Sequence, residues 1–314
     1  MPDVSRASGQ QPILVTGMPR SGTTWVARML DAADRTAWIS EPFNLEREPP
    51  LLSPPPPYWF TYLTADNEAR YVDGMGELLD LRFRYGRELR AVRSRRELLD
   101  SLRRWRQAHS HRRERRRPLV KEPHAVFSAE WLAQRFGFDV VVTVRHPLAV
   151  VSSWKRLGWP FDFGHLLAQP LLLRDWLAPY EPEMREAVGT TGVVEQASLL
   201  WRIVYEVVAQ YRDRFPAFQI VRQEDVSLEP DTRFAMLYEA LDLPLTERAR
   251  SAIVESSDAD NPAEVTLNDP HSVRLDSRTN LENWRRRLTA SEIARIREIT
   301  GATSARFYSD DTWL

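Results

Sequence analysis

The sequence predicts an α/β fold in which a parallel β-sheet is flanked by helices and one strand end carries a phosphate-binding loop. Three observations carry this. Apolar runs pass through a turn into helical apolar spacing at residues 13–31, 139–157 and 218–241; such strand–helix units return the chain for a parallel pairing. Two glycines, Gly17 and Gly22, bound the first of these turns. Both that turn and Arg145 fall at carboxyl ends of strands, where open α/β sheets bind ligands.

Residues 1–12 (MPDVSRASGQQP) lack the apolar stretch of a secretion signal. No apolar run approaches the ~20 residues that span a bilayer. The reading is a single cytoplasmic domain over residues 1–314. ILVTG forms the first strand, and TTWVARMLDAA takes helical spacing, with Thr23 and Thr24 at its start. AWISEPFN is strand-like and ends in an acid before proline. The Pro-rich connection at 46–57 excludes regular structure, and an aromatic cluster of Tyr58, Trp59, Phe60 and Tyr62 follows. An Arg-rich helical insertion is expected at 82–117, with Leu89, Val92, Leu99, Leu102 and Trp105 on one face. PLV is a short strand before KEPHA, and DVVVTV (139–144) is a buried strand leading into RHPLAVVSSW. FQIVRQEDV (218–226) reads as another strand, followed by a helix at 231–241. Thr289 and Glu292 have the S/T-x-x-E spacing of a capping box, which starts a last helix.

Composition narrows the chemistry. The chain has no cysteine, so disulfides, thiolate metal sites and cysteine nucleophiles are excluded. Its net charge of −1 conceals a local excess, because residues 82–117 hold 15 arginines against Glu88, Glu97, Asp100 and Glu114. Of 43 basic residues only Lys121 and Lys155 are lysines.

The spacing Gly17-x-x-x-x-Gly22 matches the opening of an ATP-type phosphate loop, yet Thr23 stands where that motif has lysine. Backbone amides of residues 19–24 at a helix N-terminus still form a concave donor array for an anionic group. A nucleotide triphosphatase would also need an acid for magnesium at the end of a neighbouring strand. Here that strand ends in Arg145. With Arg20 inside the loop, the pattern fits a ligand with phosphate-like groups at two places and no metal.

PRSGTTW resembles the 5′-phosphosulfate loop of the sulfotransferases, and VRHPLAVVSSW resembles their second signature, an arginine with a serine eight positions later. IVRQEDV with LYEALDLP and NWRRRLTASEIARI are similar to further segments of that family, so the resemblance spans residues 13 to 300. It implies a P-loop NTPase-like sulfotransferase fold and the donor 3′-phosphoadenosine 5′-phosphosulfate (PAPS), leaving the bisphosphate product PAP. On this resemblance Arg20, Ser21, Gly22, Thr23 and Thr24 meet the 5′ group, Trp25 stacks on adenine, and Arg145 and Ser153 meet the 3′-phosphate. Either Arg278 or the Arg285–Arg287 run adds charge there.

The resemblance also implies roles for Arg20 beside the transferred group and for Lys121 at the bridging oxygen. Two bases remain open. Glu41 in SEPFN matches the glutamate of the tyrosylprotein branch, and His124 follows Lys121 by three positions where the cytosolic branch has an interval of two. The resemblance of the loop and EPFN to the tyrosylprotein and carbohydrate branches implies a hydroxyl on a carbohydrate or glycolipid, with a phenolic natural product or peptide tyrosine as the alternative. The partner expected is a small-molecule or glycan acceptor rather than nucleic acid, with peripheral contact to an anionic membrane through 82–117. A nucleotide-binding protein of another class is the remaining reading.

Overall fold

The computed structural model describes residues 11–82, 94–189, 192–262 and 276–313. Five parallel strands form one sheet in the order β2-β3-β1-β4-β5. They are β1 (Ile13–Gly17), β2 (Thr36–Ser40), β3 (Arg117–Lys121), β4 (Asp139–Val144) and β5 (Gln219–Arg222). The chain leaves the central β1 for one side of the sheet and later crosses to β4 on the other, which opens a crevice at the carboxyl ends of β1 and β4.

Period-2 alternation divides the sheet between two cores. Ile13, Val15, Leu119 and Val141 pack with Trp25, Leu30, Phe234 and Tyr238 on one face. Leu14, Val120, Val140 and Val142 pack with Phe127, Trp201 and Tyr211 on the other. The first face is covered by α1 (Thr23–Asp31) and by helices at Pro230–Ala240 and Glu247–Ser257. A long helix, Val193–Arg214, lies on the second face beside Pro147–Leu157 and Ala290–Ser304. The capping box at Thr289 and Glu292 is formed.

The proline-rich stretch carries no helix or strand, as its sequence requires. Two boundaries differ from the sequence reading. The third expected strand stops at Arg222, and QEDVSL forms a helix, Gln223–Leu228, because Glu224 and Asp225 suit a first helical turn. The arginine-rich segment yields a helix over Arg95–Arg113, but its last residue, Arg117, opens β3. Arg117 is buried because its guanidinium donates to the carbonyls of Gln11 and Leu241 and to the Asp139 carboxylate. Leu89 and Val92 lie outside the described residues. Of the expected face, Leu99 and Leu102 are exposed, as is the neighbouring Leu98, whereas Trp105 is half-buried.

Candidate active site

Each strand delivers one polar group at or just past its carboxyl end. β1 leads to Arg20 in the loop, β2 to Glu41, β3 to Lys121, β4 to Arg145 and β5 to Gln223. A cavity of about 930 Å³ lies over these ends and is lined by all five.

The loop is built by conformations that its sequence permits. Gly17 has φ +144°, and a Cβ there would come within 2.5 Å of the Thr143 carbonyl oxygen. Gly22 has φ +96° and precedes α1 without a side-chain cap, which leaves the first helical amides for an anion. Ser21 turns inward, bonding the Met18 carbonyl and the Thr143 hydroxyl, each at 2.6 Å. Arg20 adopts φ +75°, a conformation uncommon outside glycine, and so projects its side chain across the crevice. Its Nε donates to Ser153 Oγ at 3.1 Å. Trp154 Nε1 donates to the Pro19 carbonyl at 3.1 Å, a second tie between this loop and the helix after β4.

Arg145 is held from behind. Trp201 Nε1 donates to its carbonyl at 2.9 Å, and Tyr205 donates to the Thr143 carbonyl at 3.1 Å. One terminal nitrogen of Arg145 reaches the Arg20 carbonyl at 3.2 Å, whereas its buried Nε has no partner among the described residues. Arg20, Arg145, Arg156 and Arg287 all line the cavity. Burial, and then the charges of Arg145, Arg156 and Arg287, push the Arg20 guanidinium down to about 10. Burial is also the largest cause lowering Arg145. Four cations facing one cavity with an orphaned buried donor fit a ligand with more than one anionic group.

At the other end of the cavity Lys121 and Glu41 form an ion pair, and Asn44 Nδ2 donates to the second Glu41 oxygen at 2.8 Å. Burial raises the Glu41 carboxyl, but the Lys121 charge and the bonds from Lys121 and Asn44 outweigh it and hold it below its ordinary value. His124 lies 4.4 Å from the ring centroid of Trp59 and 5.1 Å from that of Phe60. Its Nδ1 is 3.2 Å from the carboxylate of the fully buried Glu122. Trp159, Phe161 and Asp162 continue the wall.

The structure therefore brings Arg20, Gly22, Thr23, Thr24, Trp25, Glu41, Lys121, His124, Arg145 and Ser153 to one cavity. Ser21 is buried beneath it. Trp25 belongs to the core as well, since its ring packs edge-on to Phe234 and its Nε1 donates to Ser256. Arg278 is not among the lining residues. Its turn is fixed by Asp276, which accepts from the amides of 278 and 279, and its exposed guanidinium reaches the Leu228 carbonyl. Of the basic residues considered near the C-terminus, Arg287 is the one that lines the cavity.

Four contributors were absent from the sequence reading: Glu122, Arg156, Gln223 and Asn280. Gln223 lines the cavity with a buried carbonyl oxygen that has no partner among the described residues. Only Glu122 had a local signal, lying between Lys121 and His124. Lys155 was noted for its rarity, and its ammonium donates to the Arg287 carbonyl at 2.9 Å and to Glu292.

A family model described as "Sulfotransferase family" matches residues 12–247. No curated protein matches the sequence. Among solved structures, the sulfotransferase domain from the curacin biosynthetic pathway is similar at 15% identity over 94% of this chain and 98% of that one, with a TM-score of 0.47. The sulfotransferase domain from the Synechococcus PCC 7002 olefin synthase has 16% identity over 98% of each chain and a TM-score of 0.47. A mouse sulfotransferase, SULT7A1, complexed with PAP has 11% identity over 98% of this chain and 88% of that one, with a TM-score of 0.45.

Proposed function

Because this chain belongs to the sulfotransferase family, we propose that it transfers the sulfuryl group of PAPS to an acceptor hydroxyl by in-line displacement without a metal. The observation that carries this reading is the convergence of Arg20, Arg145, Arg156 and Arg287 on the cavity below the loop. When bound, PAPS supplies the activated sulfuryl group and a phosphate leaving group. The amides at the start of α1 and Arg20 would hold its 5′ end, while Arg145, Ser153 and Arg287 would hold the 3′-phosphate. Trp25 and the Gln223 carbonyl would take the adenine. Lys121 would offset charge on the leaving oxygen, and either Glu41 or His124 would accept the acceptor proton.

For the acceptor we favour a carbohydrate or glycolipid hydroxyl. Trp59 and Trp159 offer flat faces for a sugar, and Asn44, Glu46 and Asp162 offer hydrogen bonds beside them. A phenolic acceptor would use the same rings. The protein would work in the cytoplasm; among the described residues no helix is long and apolar enough to cross a membrane. Exposed Leu98, Leu99 and Leu102 on the arginine-rich helix favour peripheral contact with an anionic membrane. Salt-sensitive cosedimentation with phosphatidylserine vesicles, and none with phosphatidylcholine vesicles, would support that contact.

The deciding experiment is calorimetric titration of magnesium-free protein with PAP, ATP and AMP, on wild type and Arg145→Ala. Preferred binding of PAP that Arg145→Ala weakens at least tenfold is the expected result. Tighter binding of ATP with magnesium, or an indifferent variant, would overturn the reading.

A further inference from the structure

Two buried oxygens of Glu122 have three donors around them. Oε2 accepts from the Phe43 amide at 2.6 Å, and Oε1 accepts from the His124 amide at 3.0 Å while facing His124 Nδ1 at 3.2 Å. The residue is 0% exposed, and a carboxylate so deeply buried needs this full set of partners. The two backbone bonds require an acceptor at each oxygen, so neither position suits an amide NH2. A carboxylate at Oε1 is satisfied by a proton on Nδ1, and in a neutral imidazole this makes Nε2 the acceptor. Nε2 makes no hydrogen bond among the described residues, and the ring lines the cavity between Trp59 and Phe60.

Glu41 is differently disposed. One oxygen is paired with Lys121 and the other accepts from Asn44, so both are engaged and the carboxyl is held below its ordinary value. It orients the Lys121 ammonium at the strand end.

We propose that His124 is the proton acceptor and that Glu122 is the positioning residue that fixes its Nδ1–H tautomer, leaving Glu41 to orient Lys121. This rests on the sulfotransferase reading above. In the step, the acceptor oxygen bonds to sulfur, its proton passes to Nε2, and the bridging donor oxygen departs with the electron pair of the broken S–O bond. The imidazolium that forms lies against the Glu122 carboxylate, which offsets its charge.

The test begins without an acceptor. A long-range proton–nitrogen spectrum of 15N-histidine-labelled protein, assigned with His124→Gln, should show His124 as the Nδ1–H tautomer in wild type. Glu122→Gln should abolish that signature. PAP release from PAPS, with water as the acceptor, should fall ~10²- to 10⁴-fold in His124→Gln and in Glu122→Gln. The double variant should be little worse than either single, while calorimetric PAP affinity stays within about threefold of wild type, since none of these groups is assigned to nucleotide contacts. An Nε2–H tautomer in wild type would overturn the proposal, and this readout needs no variant to fold. So would full PAP release by His124→Gln beside loss in Glu41→Gln. Failure of wild type to bind PAP would instead strike the sulfotransferase reading itself.

Discussion

Arg20 donates from Nε to Ser153 Oγ at 3.1 Å, across 133 residues of sequence. The bond joins the loop after β1 to the helix after β4, and it engages an arginine whose backbone already sits at φ +75°. A charged donor facing three other guanidiniums gains from any fixed acceptor, so the hydroxyl orients Arg20 before a ligand arrives. Ser153→Ala should therefore raise the PAP dissociation constant by about 10- to 100-fold, using roughly 1.5–3 kcal/mol for a hydrogen bond to a charged group. Calorimetry checks this, and unchanged affinity would dissociate Ser153 from the donor site.

The Glu41–Lys121 pair makes a pH-dependent contribution to stability. Glu41 is held below its ordinary value of 4.5, so the folded state binds its proton less readily than the unfolded state does. The stabilisation is present above 4.5 and is lost as pH falls through the lower folded value. Glu41→Gln should be less stable than wild type at neutral pH, and the gap should close as the solution is acidified below 4.5. Denaturant midpoints of the two proteins, compared pH by pH, measure the gap. A constant gap would mean that the pair carries no net charge interaction.

The strands and the loop were legible in sequence because each rests on a local pattern, whether an apolar run, a glycine spacing or an arginine at a strand end. Arg145 was legible for the same reason, whereas Ser153, eight residues later on the same strand–helix unit, was singled out through the resemblance to the sulfotransferase signature. Arg287, Arg156 and Gln223 were not legible, since their arrival in the cavity depends on how later helices pack on the sheet. Glu122 shows a third case. Its identity was visible in KEPHA, but its contact with the Phe43 amide spans 79 residues, and only the register of Ser40 against Lys121 brings them together. The helix over Arg95–Arg113 shows the limit of periodicity, because helical spacing placed Leu99 and Leu102 on one face without saying what covers it, and both are exposed.

His146 provides a second titrating group, away from the cavity. It caps the helix Pro147–Leu157 by accepting from the Leu148 amide, and its ring packs against Tyr308 and Trp313. Burial pushes it down to about 3 from 6.5. Between those values the unfolded chain holds a proton that the native state refuses, so stability falls as pH drops from 6.5 toward 3. His146→Asn keeps a capping acceptor and removes the titration. Its stability should fall less steeply over that interval than wild type, whatever its stability at neutral pH; equal slopes would show that His146 does not contribute to acid unfolding.

Lys155 lies outside the cavity yet should matter to the donor. Its ammonium donates to the Arg287 carbonyl and to Glu292, which is the capping-box acid of the helix Ala290–Ser304. The chain uses arginine almost everywhere else, and a compact ammonium fits between a carbonyl and a carboxylate where a planar fork would not. The pair is about a third exposed on the lysine side, so its direct contribution to stability is small. Its effect on position is larger, because the segment that it pins carries Arg287 into the cavity. Lys155→Met should leave the melting temperature within a few degrees of wild type while weakening PAP binding about 3- to 10-fold, and Lys155→Arg should not restore it. If Arg287→Ala alone weakens PAP binding and Lys155→Met does not, Arg287 is held by its own helical turn and Lys155 serves only to cap the last helix.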